Sequence, residues 1–178
     1  QCTAIHGVAT MFLAEMEEMT KREYDTSSLR TGIIAGATVT PQLMRQISEV
    51  MGIPELSIAY GQTESSPAIS ATNRKDSIKK RFETVGRPLP GVEVKVVGLT
   101  GEKVTPGTQG ELCVRGYNVM KGYYKKHEAT RAAVNDSGWL HTGDLGTLDE
   151  DGYCTITGRI KDVIIRGGEN IYPLEIET

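Results

Sequence analysis

The chain has 178 residues, 38% of them hydrophobic and 24% charged, which is enough apolar material for a packed core and excludes a disordered tail. Its net charge of −3, with both signs interspersed, excludes a nucleic-acid surface because a phosphate backbone demands a basic field; an anionic ligand must be held locally. No apolar run approaches the roughly 20 residues that span a bilayer and no secretory pattern opens the sequence, so neither a transmembrane segment nor a signal is predicted.

Val8, Met11, Phe12, Met16 and Met19 fall at three- and four-residue spacings, which predicts that the opening stretch is an amphipathic helix. "LRTGIIAGATVTPQLMRQISEVMG" then predicts strand, loop and helix: Ile33–Ala35 is apolar, Thr40 can cap, Pro41 suits the first helical position and Gly52 the residue past the end. Leu43, Ile47, Val50 and Met51 should form the buried side of that helix. A second strand is expected over Leu56–Ala59, and such alternation predicts a parallel or mixed sheet.

After about residue 80 the texture changes, and 15 of the 20 glycines lie from Gly86 onward. "VEVKVV" sets Val92, Val94 and Val96 on one face, and "GELCVRG" sets Glu111, Cys113 and Arg115 opposite Leu112 and Val114. "LDEDGYCTITG" places Asp151-Gly152 between two strand-like runs, a hairpin signal. These runs predict a small twisted sheet or partial barrel, interrupted by "KGYYKKHEATRAAVNDSGW" as a charged, loosely helical, solvated excursion. A tight boundary is expected near "GRIKD", followed by a strand in "VIIRGG" and by a helix opening at Pro173. Both ends read as interrupted, so the chain reads as a piece of a larger protein.

Cys2, Cys113 and Cys154 are far apart, as are His6, His127 and His141, and none pairs at metal-ligand spacing, which argues for small buried thiols in a reducing compartment and against a zinc site. Three other constellations carry chemistry. In "AYGQTESSP" an apolar strand stops at Gly61 and then presents the hydroxyl of Thr63 and the carboxylate of Glu64, groups suited to a phosphate oxygen and its magnesium ion. A polar loop that merely ends a strand is the commoner reading of those residues alone.

In "WLHTGDLG" Asp144, before an apolar strand start, could accept hydrogen bonds from vicinal ribose hydroxyls, or Thr142 and Asp144 could simply close a turn. In "GRIKDVIIRGGENIYPLEIE" Arg159 offers a planar cationic fork and Gly167-Gly168 permits close backbone approach, yet alone the segment reads as a surface loop before a helix.

In this order, "YGQTE", "GELCVRG", "HTGDLG" and "GRIKD…GGENIYPLEIE" resemble the AMP-forming adenylating superfamily of acyl-CoA synthetases, luciferases and peptide-synthetase adenylation domains. The resemblance covers nearly the whole chain. It implies an α/β (mixed α+β) fold, with residues 1–80 in the αβ sheet subdomain of a large adenylation domain, 81–158 in a barrel-like subdomain, and 159–178 forming the hinge and start of a small mobile C-terminal domain.

By the same resemblance Tyr60 stacks on adenine with Gly61 beside it, Thr63 lies at the α-phosphate and Glu64 binds magnesium. Gly36 and Ala37 of "IIAGATV" lie along the adenine, although Thr38 stands where the family often has proline. Asp144 accepts the ribose hydroxyls, Arg159 contacts ribose and phosphate, Asp162 is the hinge, and Gly167 and Gly168 border the thiol tunnel.

The wording "GGENIYPLEIE" is typical of CoA ligases, and "GYNVMKGYY" is nearest in character to medium-chain acyl-CoA synthetases. The implied activity is ATP-dependent acyl adenylate formation followed by thioester formation, with ATP, a carboxylic (fatty) acid and coenzyme A as substrates, Mg²⁺ as cofactor, and an intracellular location, mitochondrial or cytoplasmic. A luciferase-like oxygenase and a non-catalytic nucleotide-binding module are the alternatives. The family's phosphate loop and catalytic lysine would lie before and after this chain, which by itself is expected to be inactive.

Overall fold

The computed structural model describes residues 1–98, 100–166, 169–171 and 173, and the chain folds as mixed α/β in two compact units. The first comprises Gln1–Tyr60 and Ala71–Gly86, the second Gly61–Ser70 and Arg87–Thr178.

In the first unit, β1 (Ala4–Gly7), β2 (Thr31–Ile34) and β3 (Glu55–Tyr60) form a parallel sheet with β2 central, pairing Ala4 with Thr31 and Thr31 with Glu55. Helices α1 (Ala9–Met19) and α2 (Pro41–Val50) are the crossovers that parallel neighbours require. The expected opening helix is therefore preceded by a strand, which the helical spacing of Val8 and Met11 concealed. Val8 is the exposed residue before α1, whose buried face is Phe12 and Met16.

Helix α2 begins and ends where its punctuation predicts. The Thr40 hydroxyl accepts a hydrogen bond from the Leu43 N–H at 3.2 Å, Pro41 opens the first turn, and Gly52 follows at φ +68°, a conformation that favours glycine. Its buried face differs by part of a turn: Met44, Ile47 and Met51 are in the core, Leu43 is half-buried and Val50 is exposed. The i, i+3, i+7 row through Met44 meets Ile34, Leu56 and Ile58 in one apolar cluster, and that sheet face selects the stripe.

The two-residue strands β4 (Ser70–Ala71) and β5 (Arg87–Pro88) lie where the chain passes between units, flanking α3 (Ile78–Glu83). Arg81 of α3 is 6% exposed and donates from Nε and Nη2 to the Leu56 carbonyl, at 3.2 and 2.9 Å, and from Nη2 to the Pro54 carbonyl at 2.7 Å. It thereby satisfies backbone acceptors of β3 and the residue leading into it. Arg81→Ala is expected to lower unfolding stability by about 2–3 kcal/mol, since charged hydrogen bonds of this kind contribute about 1.5–3 kcal/mol and their loss strands buried carbonyls. Denaturant unfolding checks this, with Lys80→Ala on the same helix as control.

The second unit is built on an antiparallel sheet ordered β6 (Val92–Val97), β7 (Gly110–Gly116), β8 (Leu140–Leu148) and β9 (Cys154–Arg159). The hairpin at Asp151-Gly152 is present: Asp149 N–H donates to Tyr153 O at 3.0 Å, and Gly152 sits at φ +82°. Strand β7 departs from the expected two-faced pattern, because Leu112, Cys113 and Val114 are all buried. Cys113 and Cys154 are buried free thiols, each with its pKa pushed up to about 12, chiefly by burial, whereas Cys2 is exposed.

The excursion between β7 and β8 contains the short exposed helix α4 (His127–Ala133). After β9 comes a 3₁₀ turn, Ile160–Asp162, and then an antiparallel pair, β10 (Ile164–Arg166) and β11 (Glu169–Ile171). The strand at Glu169–Ile171 was not expected.

Candidate functional site

Because β2 and β3 are parallel and in register, Gly36, Ala37 and Tyr60 all follow or end strands at the same carboxyl edge of the first unit's sheet. Gly36 takes φ +85°, which lets the chain turn away from β2, and Gly36 and Ala37 are exposed while Tyr60 is half-buried. The carboxyl edge of such a sheet is where ligands of open α/β folds are received.

In the second unit, the turn after β3 is tightly specified. A Cβ on Gly61 would lie 1.9 Å from the Pro67 carbonyl oxygen, so the chain can double back only with glycine there. Thr63–Ser65 form a 3₁₀ turn locked by the fully buried Ser65, whose hydroxyl accepts from Gln62 N–H at 3.0 Å and donates to Gln62 O at 2.8 Å. Ser66 closes it at φ +52°. These bonds fix the backbone that carries exposed Thr63 and half-buried Glu64.

Glu64 is held from two sides. Its carbonyl accepts from Met120 N–H at 2.8 Å, and its carboxylate Oε1 accepts from the Tyr123 hydroxyl at 2.7 Å. Nearby, Asn118, 5% exposed, donates from Nδ2 to the Ala68 carbonyl at 2.8 Å. Tyr123 belongs to the stretch expected to be only a solvated excursion, so its first residues have a definite structural task. Its signal was weak: an aromatic beside a glycine, with its partner 59 residues away.

The hydrogen bond to Glu64 raises the Tyr123 pKa above the ordinary tyrosine value, because a phenolate cannot donate and is repelled by the carboxylate. The pair therefore contributes stability that is present below the ordinary tyrosine pKa and is lost as pH rises through the raised one. In an alkaline absorbance titration, one late-titrating phenol should vanish in Tyr123→Phe and move back toward the ordinary range in Glu64→Gln. An unchanged Glu64→Gln titration would remove the pairing.

Asp144 lies inside β8 rather than ahead of a strand. It is 4% exposed, faces Arg159 of β9 in register, and its Oδ1 lies 2.9 Å from Arg159 Nε. The pairing of β7 with β8 slips between Glu111 and Cys113, and Thr142, Gly143 and Asp144 fall in this slip. Thr142 Oγ1 donates to Leu112 O at 2.7 Å and accepts from Asp144 N–H at 3.1 Å, while Gly143 N–H donates to Glu111 Oε1 at 3.0 Å. Thr142 thus closes a local turn, and the Asp144 carboxylate is paired with a partly exposed cation. Glu111, which received no role from the sequence, anchors the turn from the neighbouring strand.

The structure brings together Asp144 with Arg159, while Thr63 and Glu64 are chain neighbours in one 3₁₀ turn. Asp162 is exposed and ends the 3₁₀ turn after β9. Gly167 and Gly168 lie outside the described residues, as does everything after Pro173.

The chain as a whole is similar to known proteins. The chain is 57% identical over 178 residues to the "Putative acyl-CoA synthetase YngI" of Bacillus subtilis (strain 168), covering 99% of this chain and 32% of that protein. It is 47% identical over 178 residues to the "Medium-chain acyl-CoA ligase ACSF2, mitochondrial" of Danio rerio, covering 99% and 29%. The chain therefore spans about a third of the length of these relatives. Its backbone superposes on ATP-bound MatB from Rhodopseudomonas palustris with a TM-score of 0.89 at 34% identity, covering 99% of this chain and 35% of that one. Residues 1–124 match the model of the AMP-binding enzyme family. That match spans more than half of the chain and identifies it as a member of the AMP-binding enzyme family.

Proposed function

We propose that this chain is the nucleotide-handling part of an AMP-forming carboxylic acid–CoA ligase. The observation that carries the reading is a carboxylate kept almost fully buried inside a strand, Asp144, and aligned by a cross-strand arginine that is itself half exposed. A carboxylate fixed in this way is pre-aligned to receive two vicinal hydroxyls, and the same pair can brace the β8–β9 hairpin, a role that substitution at Asp144 separates from ligand binding.

In this reading Asp144 accepts the ribose hydroxyls, Arg159 reaches ribose and phosphate oxygens, Thr63 donates to the α-phosphate, and Tyr60, Gly61, Gly36 and Ala37 form the adenine cradle. A Glu64 carboxylate whose Oε1 is steadied by Tyr123 is a hard oxygen ligand that fits Mg²⁺. Bound there, the ion would neutralise charge on the triphosphate.

The substrate carboxylate attacks the α-phosphorus of ATP, pyrophosphate leaves, and the CoA thiol then attacks the acyl carbonyl and expels AMP. Positioning and charge neutralisation carry such chemistry, so the residues needed are donors, an acceptor and a cation rather than a nucleophile. Asp162 is the proposed hinge between the two half-reactions and Gly167-Gly168 the turn beside the thiol path. Relatives named for medium-chain acids make that class the first to test, and an intracellular site of action, mitochondrial or cytoplasmic, accords with two unpaired buried thiols.

The test uses the full-length polypeptide carrying this chain, supplied with ATP, Mg²⁺, CoA and carboxylic acids of graded length. Stoichiometric AMP, pyrophosphate and acyl-CoA are expected. Absence of pyrophosphate exchange with every acid would overturn the reading.

A further inference from the structure

Glu111 and Cys113 of β7 and His141 of β8 meet at the slip in strand pairing described above. Cys113 and His141 are register partners, with Cys113 Sγ 3.5 Å from His141 Nδ1, and the same nitrogen lies 2.8 Å from Glu111 Oε2. One donor atom from each residue lies within 4.8 Å of the others. Cys113 is fully buried, while the Glu111 and His141 side chains are 18% and 36% exposed, so the cluster has an apolar floor and an open side. Separations of 28 and 30 residues conceal the group in the sequence, where cysteines and histidines read as scattered.

The two edges that meet at His141 Nδ1 are close to those of a tetrahedral cation site. Zinc bonds of about 2.3 Å to sulfur and about 2.0–2.1 Å to nitrogen, at a tetrahedral angle, place those two atoms roughly 3.5 Å apart. The Cys113–His141 pair already has that spacing. The nitrogen-to-oxygen edge of such a site is about 3.3 Å, so Glu111 and His141 must part by roughly 0.5 Å, a shift open to a partly exposed imidazole. Glu111 Oε1 is meanwhile committed to Gly143 N–H, which orients Oε2 toward the cluster as an outer-shell partner orients a ligand.

We propose that Glu111, Cys113 and His141 form a three-ligand site for Zn²⁺ or a cation of the same class, with water in the fourth position. On binding, the Cys113 S–H bond breaks, the sulfur lone pair goes to the metal, and the proton leaves to solvent; nothing is oxidised or reduced. The site stands independently of the proposed ligase activity. Its metal-free alternative is a plain hydrogen bond between His141 and Glu111.

The probe is Co²⁺, which reports thiolate ligation by a near-ultraviolet charge-transfer band, titrated into the full chain carrying Cys2→Ser to remove the exposed thiol. A band that saturates at one equivalent, is displaced by Zn²⁺ and disappears in Cys113→Ser is the expected result. His141→Gln, at a partly exposed position that spares the core, should weaken Co²⁺ binding by at least about tenfold, a loss that even outer-shell substitutions can reach. No thiolate band in the folded protein overturns the site, as does a band that survives Cys113→Ser. Should Cys113→Ser not fold, unchanged Co²⁺ affinity in His141→Gln overturns it alone.

Discussion

Asp144→Asn should leave the protein folded and weaken ATP use by about 100-fold or more, because a charged acceptor contributes about 1.5–3 kcal/mol to each hydrogen bond and two ribose hydroxyls would lose it. The structural cost is smaller. Arg159 is 52% exposed on its side chain and can turn to water when its partner loses charge, and the asparagine carbonyl still fits between β8 and β9. A decrease in stability of about 1 kcal/mol is expected, in line with a partly exposed pair rather than a sealed one. The measurements are the ATP dependence of adenylate formation, the affinity for AMP and the thermal midpoint, all on the same variant. A large thermal shift with unchanged adenylation would make the pair a brace of the β8–β9 hairpin and nothing more.

Asp162→Pro is expected to separate the two half-reactions. A proline ring at 162 fixes that residue's own φ and so removes rotation about it, while disfavouring the helical conformation of Lys161 in the 3₁₀ turn over residues 160–162. If residue 162 is where the following domain pivots, adenylate formation should change by no more than about threefold while thioester formation falls by tenfold or more, since a conformational step lies between them. Pyrophosphate release and acyl-CoA production, measured separately in single-turnover experiments, distinguish these. Equal loss of both removes the hinge, and equal retention shows that no rotation occurs about this residue.

Much of the architecture was legible because it depends on near neighbours in the chain. Thr40, Pro41 and Gly52 set the bounds of α2 through capping geometry within a few residues, and Asp151-Gly152 marks the β8–β9 hairpin for the same reason. Strand β1 was not legible. Ala4–Gly7 has no alternation of its own and becomes a strand only by pairing with β2, which is more than twenty residues away. The choice of Met44 over Val50 as a core residue likewise depends on the sheet face beneath α2, which the helix's own periodicity does not contain.

For the candidate site the division is similar. The chain alone determined the alternation of helices and parallel strands and the hairpin-rich second half, since spacing and turn residues are local, whereas Thr63, Glu64, Asp144 and Arg159 stand out in it only through a family resemblance. Tertiary structure decided what the side chains touch: the Asp144–Arg159 pair across two strands, the Tyr123 hydroxyl on Glu64, and the meeting of Glu111, Cys113 and His141. These depend on strand register and on the slip between β7 and β8. A displacement of one residue in register reverses every side chain, and no local propensity records it.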